Sequence, residues 1–335
     1  MAPPWLSPIA NFFDAFREAF IREWKIFKSQ TAPQLGISIR VDPSFWKANG
    51  DELIFVKELD DRKEILGCVN AWMQALKVIR PDLQANGLDV KATAWTAGFP
   101  VTNSELVFEV NPGSRDVPYE GDSRLQQFAL SQKWHEGPES QHSLMMDFIG
   151  PSVDIGFRLA SQSTSRRFVI SIDIAYFLAT VHLPPKNVIR VPPILYGSRT
   201  ELKGVLGGKP YPIFWIDTMS GEDGPNAENR LLGVTQLYDI KDFCLEFYQE
   251  NSSLMFLPFI FREDEKQYGE FPVNYIEALE HLCATWQAEK DRASGETAIG
   301  STADDESEKL SDAEAINKER AIISAIESQS SQKNP

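Results

Sequence analysis

Asp147, Asp154 and Arg158 fall within the stretch MDFIGPSVDIGFRLAS, residues Met146 to Ser161, which is otherwise glycine and apolar side chains. A guanidinium stays charged at every relevant pH and can hold negative charge that develops on a reacting group. Carboxylates are hard oxygen donors of the kind magnesium and manganese prefer. If VDIGFRL is helical, Asp154 and Arg158 stand at i and i+4 on one face. The same spacing also suits an ordinary exposed ion pair worth a few tenths of a kcal/mol, and Asp147 could simply cap the turn before Gly150. A further carboxylate, Asp51, follows Asn49 and Gly50 in WKANGDE, where a solvated turn residue is the plain alternative to a metal ligand.

Other combinations fail on geometry. HEGPESQH (His135 to His142) offers two histidines and two glutamates, but Gly137 and Pro138 break the single helix face that an HExxH zinc site needs. LKGVLGGKPYP has glycines before Lys209 but neither phosphate-loop spacing nor a following Ser or Thr. Cys68, Cys244 and Cys283 lie far apart and form no CxxC pair, so they read as buried thiols.

The 335 residues, 42% of them hydrophobic, are enough for one large domain with an appendage or for two modest ones. A formal net charge of −15 opposes general nucleic-acid binding, which is driven by lysine and arginine. No apolar run approaches the roughly 18 residues of a membrane span, and MAPPWLSPIANFFDAFREAF lacks the flank and cleavage site of a signal peptide, so a cytoplasmic location without membrane partners is expected.

The elements that must position these residues are legible in part. Ile9, Phe12, Phe13, Phe16, Phe20, Trp24 and Phe27 predict an amphipathic helix from Ile9 to Phe27. Ile37, Ile39 and Val41 alternate with polar residues and Leu53 to Val56 is a short apolar run, which predicts two strands flanking a hairpin at Asn49-Gly50. A second helix spans Asp61 to Ile79, a turn falls at Asn86-Gly87, and LDVKATAWTAGFPV reads as a strand. After a loop, VDIGFRLASQS reads as a helix and RRFVISIDIAYFLA as a strand running into a short helix. Further on, a strand is expected around Ile213 to Ile216 and a helix from Val273 to Trp286. The expected domains are residues 1–185, an extension over 186–288, and a polar acidic tail over 289–335 that is mostly disordered, with one weak helix after Ser311.

With NGDELIF on the hairpin, a long helix, LDVKATAWTAG and MDFIGPSVDIGFRLAS, the span from about Ile9 to Thr180 resembles the catalytic domain of class III nucleotide cyclases. The resemblance implies an α+β fold with a ferredoxin-like βαββαβ core, here lacking its first strand, followed by a C-terminal α/β extension. It implies a homodimer with shared active sites and two divalent metals, Mn2+ or Mg2+, per site. Asp51 matches a metal-binding carboxylate, Asp147 a base-recognition position, and Arg158 the arginine that stabilises the pentavalent phosphorus. Asp154 stands where most members have an asparagine that orients the ribose. Lys47 matches a lysine that contacts adenine in adenine-specific members, while Phe45 is expected to offer an aromatic wall on the same strand face.

The extension ELKGVLGGKPYPIFWI is similar to that of the bacterial antiphage pyrimidine cyclases of Pycsar systems, which make cyclic UMP or cyclic CMP for a separate effector that binds the product. The implied activity is a uridylate or cytidylate cyclase, a phosphorus–oxygen lyase, acting on UTP or CTP. One departure weighs against it: the second metal-binding aspartate of the family lies on a strand before the first helix, where this sequence has MAPPWLSP. A catalytically inactive nucleotide-binding or dimerising module and a purine cyclase are the alternatives, the second favoured by Lys47.

Overall fold

In the computed structural model, which describes residues 6–111, 123–137, 141–185, 189–219, 229, 231, 235–260 and 273–298, the first helix forms where its apolar spacing predicts. Helix α1 (Leu6–Ile26) buries Phe16, Ala19, Phe20 and Trp24. It continues through a π-turn (Phe27–Thr31) and a 3-10 turn (Ala32–Leu35), and Gly36 ends the run in the left-handed region at φ 72°.

The strand expected over Ile37 to Val41 does not form. Ile37 and Ile39 are buried, as their alternation suggests, but these residues pair with no strand among those described. Side chains anchor the segment instead: Trp24 Nε1 donates to Asp42 at 2.8 Å, Lys28 pairs with Asp42, and Arg40 pairs with Asp60. The first strand starts later. Strand β1 (Ser44–Asn49) pairs antiparallel with β2 (Glu52–Val56), with Asn49 opposite Glu52 and a bulge between Phe45 and Lys47. That register leaves Gly50 and Asp51 as the two-residue turn, and Gly50 takes the positive φ of 64° that the turn demands.

Helix α2 (Arg62–Ala85) is capped by Asp61, whose side chain accepts from the Lys63 N–H at 2.8 Å. It runs past Ile79, through Pro81, to the expected turn at Asn86 and Gly87. Phe16 and Phe20 of α1, Phe55 of β2 and Trp72 of α2 interlock at ring separations of 4.6–6.4 Å.

Of LDVKATAWTAGFPV, only β3 (Thr93–Ala94) is paired strand. Strand β4 (Ser104–Glu109), which the sequence did not announce, is followed by α3 (Ser123–His135), and β4 pairs with β5 (Leu144–Ile149). Helix α4 (Pro151–Leu159), β6 (Arg167–Ile170) and α5 (Ile172–Thr180) match expectation. Strands β7 (Ile194–Thr200) and β8 (Tyr211–Asp217) and helices α6 (Leu237–Glu250) and α7 (Val273–Ala298) complete the described elements. Helix α7 runs through the first ten residues of the expected tail; the helix expected after Ser311 lies outside the described residues, as do residues 138–140 of HEGPESQH.

The architecture is α+β. One sheet has the order β3-β6-β8-β7, with β3 parallel to β6 and the other pairs antiparallel. Strand β8, buried at every position, therefore joins β6 across the boundary expected at residue 185. The chain divides into two units, one of residues 1–108 and 145–260, the other of residues 109–144 and 261–335. The large hydrophobic core, from Phe16 to Tyr248, belongs to the first. No helix among the described residues is long and apolar enough to cross a membrane.

Candidate functional site

Lys47 and Asp147 are 100 residues apart in sequence, and the first unit brings them together. Lys47 Nζ donates to both carboxylate oxygens of Asp147, at 2.6 and 2.7 Å. Asp147 Oδ1 also accepts from the Phe148 N–H at 2.9 Å, which fixes the carboxylate plane. Both side chains are about one-third exposed, at 34% and 31%, so the pair is anchored in protein and open to a ligand.

Aromatic rings surround this pair. Lys47 Nζ sits 4.2 Å from the Trp46 ring centroid and 5.5 Å from that of Phe157, within cation–π range. Trp46 meets Phe148 at 4.9 Å, Trp95 meets Phe157 at 5.5 Å, and Phe99 meets Phe148 at 5.4 Å. Phe45 is not part of this group: its ring lies against Phe55 and under the Arg17 guanidinium. The bulge at Trp46 interrupts strict alternation, so Phe45 and Lys47 no longer share a face and Trp46 supplies the ring beside the lysine.

Strand β5 ends at Ile149, two residues after Asp147, and helix α4 starts at Pro151, where its first turn is held from elsewhere in the chain. Asn103, 1% exposed, accepts from the Ser152 N–H at 3.1 Å and donates to the Gly98 carbonyl at 2.8 Å. Gly150 adopts φ 138°, and a Cβ there would overlap Asn103 and the Thr102 backbone, so the turn from β5 into α4 requires glycine. The next glycine has a different task. A Cβ at Gly156 would overlap the Trp95 indole, so the missing side chain lets Trp95 lie on α4 beside Phe157. Gly156→Ala is expected to destabilise the chain by about 1–3 kcal/mol by overpacking; urea unfolding checks this, and an unchanged midpoint would refute the contact.

Asp154 and Arg158 sit one turn apart on α4. Arg158 Nε and Nη2 approach the same oxygen, Asp154 Oδ1, at 3.2 and 3.1 Å, with the side chains 40% and 44% exposed for arginine and aspartate. Such an exposed pair contributes only about 0.3–0.5 kcal/mol to stability. Asp154 Oδ2 and Arg158 Nη1 make no hydrogen bond with described residues.

Asp51 is exposed at the tip of the β1–β2 hairpin, and its carboxylate makes no hydrogen bond or ion pair with a described residue. No three His, Cys, Asp or Glu side chains gather as a cation site among the described residues. Asp51 by itself would supply one hard-oxygen donor to a divalent ion, which needs several.

Sequence reasoning named Lys47, Asp51, Asp147, Asp154 and Arg158 but missed Trp46, Trp95, Phe99, Asn103, Phe148 and Phe157. Phe157 and Phe148 lie inside the segment that drew notice, and only contact with rings from β1 and the β3–β4 connection marks them as part of the site. No protein-family model, curated protein or solved structure matches this chain.

Proposed function

We propose that this chain is a pyrimidine nucleotide cyclase that converts UTP or CTP to the 3′,5′-cyclic monophosphate and diphosphate. The observation that carries the reading is the Lys47–Asp147 pair, closed over 100 residues directly ahead of the helix turn that bears Asp154 and Arg158. An ammonium beside a carboxylate offers a donor and an acceptor edge. Uracil presents O4 and N3–H to such an edge, cytosine presents N3 and its amino group, and both are satisfied. The rings of Trp46, Phe148 and Phe157 supply apolar surface beside that edge.

On this reading Lys47 and Asp147 hold the base, Asp154 faces the ribose, and Arg158 meets the charge that builds on the α-phosphate as the ribose 3′-oxygen attacks. A divalent metal, manganese or magnesium, would assist by acidifying the 3′-hydroxyl and neutralising the triphosphate. Asp51 would supply one ligand, the others would come from a second copy and from the nucleotide, and no step here is routed through the ion. Hairpin β1–β2, helix α2 and strand β3 would belong to a ferredoxin-like core, two copies would share each site, and the soluble product would act in the cytoplasm on a separate effector in antiphage defence.

The test is product formation. Purified protein with manganese is offered UTP, CTP, ATP and GTP separately, and cyclic products are identified by mass spectrometry. Cyclic UMP or cyclic CMP is expected. A cyclic purine would transfer the assignment to the second reading, which the Lys47–Asp147 pair also suits. No product from any nucleotide would leave a nucleotide-binding or dimerising module.

A further inference from the structure

The Asp154–Arg158 pair is one-sided: two guanidinium nitrogens crowd onto Oδ1, while Oδ2 and Nη1 are left for other partners. Ordinary support of an exposed helix would be served by either oxygen. Here a carboxylate oxygen and a guanidinium nitrogen, neither with a hydrogen bond to a described residue, belong to side chains one turn apart on α4, the helix that follows the strand bearing Asp147. Within the cyclase reading, on which this rests, we infer that Asp154 is the proton acceptor for the attacking hydroxyl and that Arg158 holds its carboxylate for that purpose.

The step balances. The ribose 3′-O–H bond breaks and its proton passes to Asp154 Oδ2. The oxygen's electron pair forms the bond to the α-phosphorus, the bond from that phosphorus to the bridging oxygen of the β-phosphate breaks, and diphosphate leaves with the electron pair. Asp154, 44% exposed, then returns its proton to solvent. Arg158 has two tasks in this arrangement, since its Nε and Nη2 hold Oδ1 while Nη1 is free for the phosphate oxygen. A carboxamide at position 154 could still accept from Arg158 and from the ribose, but it could not take the proton. Proton acceptance by a positioned carboxylate is worth about 10²–10⁴-fold in rate, so the carboxylate, rather than the carboxamide usual at this place in similar enzymes, becomes a chemical difference.

The experiment compares wild type, Asp154→Asn and Asp154→Ala, with UTP and CTP as substrates and 3′-deoxy-UTP as a ligand that lacks the reacting hydroxyl. The expected result is a fall in kcat of about 10²–10⁴-fold for both variants, with binding of 3′-deoxy-UTP by titration calorimetry unchanged. Added formate should restore turnover to Asp154→Ala in proportion to its concentration. Thermal unfolding of the variants should match wild type, as the exposed pair predicts.

Several outcomes overturn the inference. Asp154→Asn could turn over at the wild-type rate, or faster because Arg158 is released. Loss of kcat could be matched by equal loss of 3′-deoxy-UTP binding, which would make Asp154 a positioning residue, or formate could fail to rescue. If wild type binds 3′-deoxy-UTP yet cyclises no nucleotide, the cyclase reading itself fails and takes this step with it.

Discussion

Alanine at Arg158 is expected to lower formation of the cyclic product by about 100- to 1,000-fold, the range for removing one preorganised donor from a developing oxyanion. The fold should survive, because among the described residues the only side-chain hydrogen bonds lost are those to Asp154. Asp51→Ala is expected to be equally inactive and equally stable, since the side chain projects from a turn without partners among the described residues. If two copies share each site, with Asp51 from one and Arg158 from the other, an equal mixture of the two dead variants should regain about a quarter of wild-type activity: half the dimers are mixed and each of those has one intact site. The readout is cyclic nucleotide by mass spectrometry, with circular dichroism melts as the control for folding. Full activity in either variant would remove that residue from the mechanism. Two inactive variants that do not complement would place Asp51 and Arg158 in the same copy.

Lys57→Met should cost about 3–5 kcal/mol of stability, the usual consequence of stranding one member of a buried ion pair. Lys57 is 6% exposed and Glu64 not at all, and Lys57 Nζ donates to Glu64 Oε2 at 2.6 Å. Among the described residues the only other hydrogen bond to that carboxylate comes from the Asp60 N–H at 3.3 Å, and Oε1 has no partner. Burial already pushes the Glu64 carboxyl above its ordinary value of 4.5, against the pull of Lys57. A raised carboxyl pKa in the folded state means that stability is fully present below the unfolded value and is lost as pH rises through the folded one. Removing Lys57 raises that pKa further, so the deficit of Lys57→Met relative to wild type should be largest near neutral pH and shrink as pH falls toward about 4.5. Urea unfolding at several pH values tests this. The double variant Lys57→Met/Glu64→Gln should recover most of the loss by removing the stranded charge. A deficit below about 1 kcal/mol, or one that does not change with pH, would show that the pair is hydrated and contributes little.

Periodicity exposed what each segment buries but not what it pairs with. The repeat in α1 is strong because a helix shows one apolar stripe to a single core, and Phe16, Phe20 and Trp24 are buried as their spacing requires. Ile37 and Ile39 obey strand alternation and are buried, yet no strand lies beside them among the described residues. The same limit hid the sheet. That β8 is buried throughout was legible from YPIFWID, but its place between β6 and β7 depends on hydrogen bonds formed with segments that lie far from it in sequence or across a turn. Strand β4 and helix α3 flank or fill a stretch read as loop, because their apolar residues are too few to form a clear stripe.

The candidate site divides in the same way. By itself the sequence determined much of the local geometry: Asn49-Gly50 announced the hairpin, although the two-residue turn falls one position later at Gly50-Asp51, and the common face of Asp154 and Arg158 follows from one turn of helix. Only the tertiary structure decided that Lys47 holds Asp147, that a bulge turns Phe45 away and puts Trp46 beside the lysine, and that Asn103 caps the start of α4 from 49 positions upstream. Spacing of a few residues is set by backbone geometry, which every sequence carries in its own order. Contacts across 49 or 100 residues form only after the core has closed, and they depend on the packing of all the elements between.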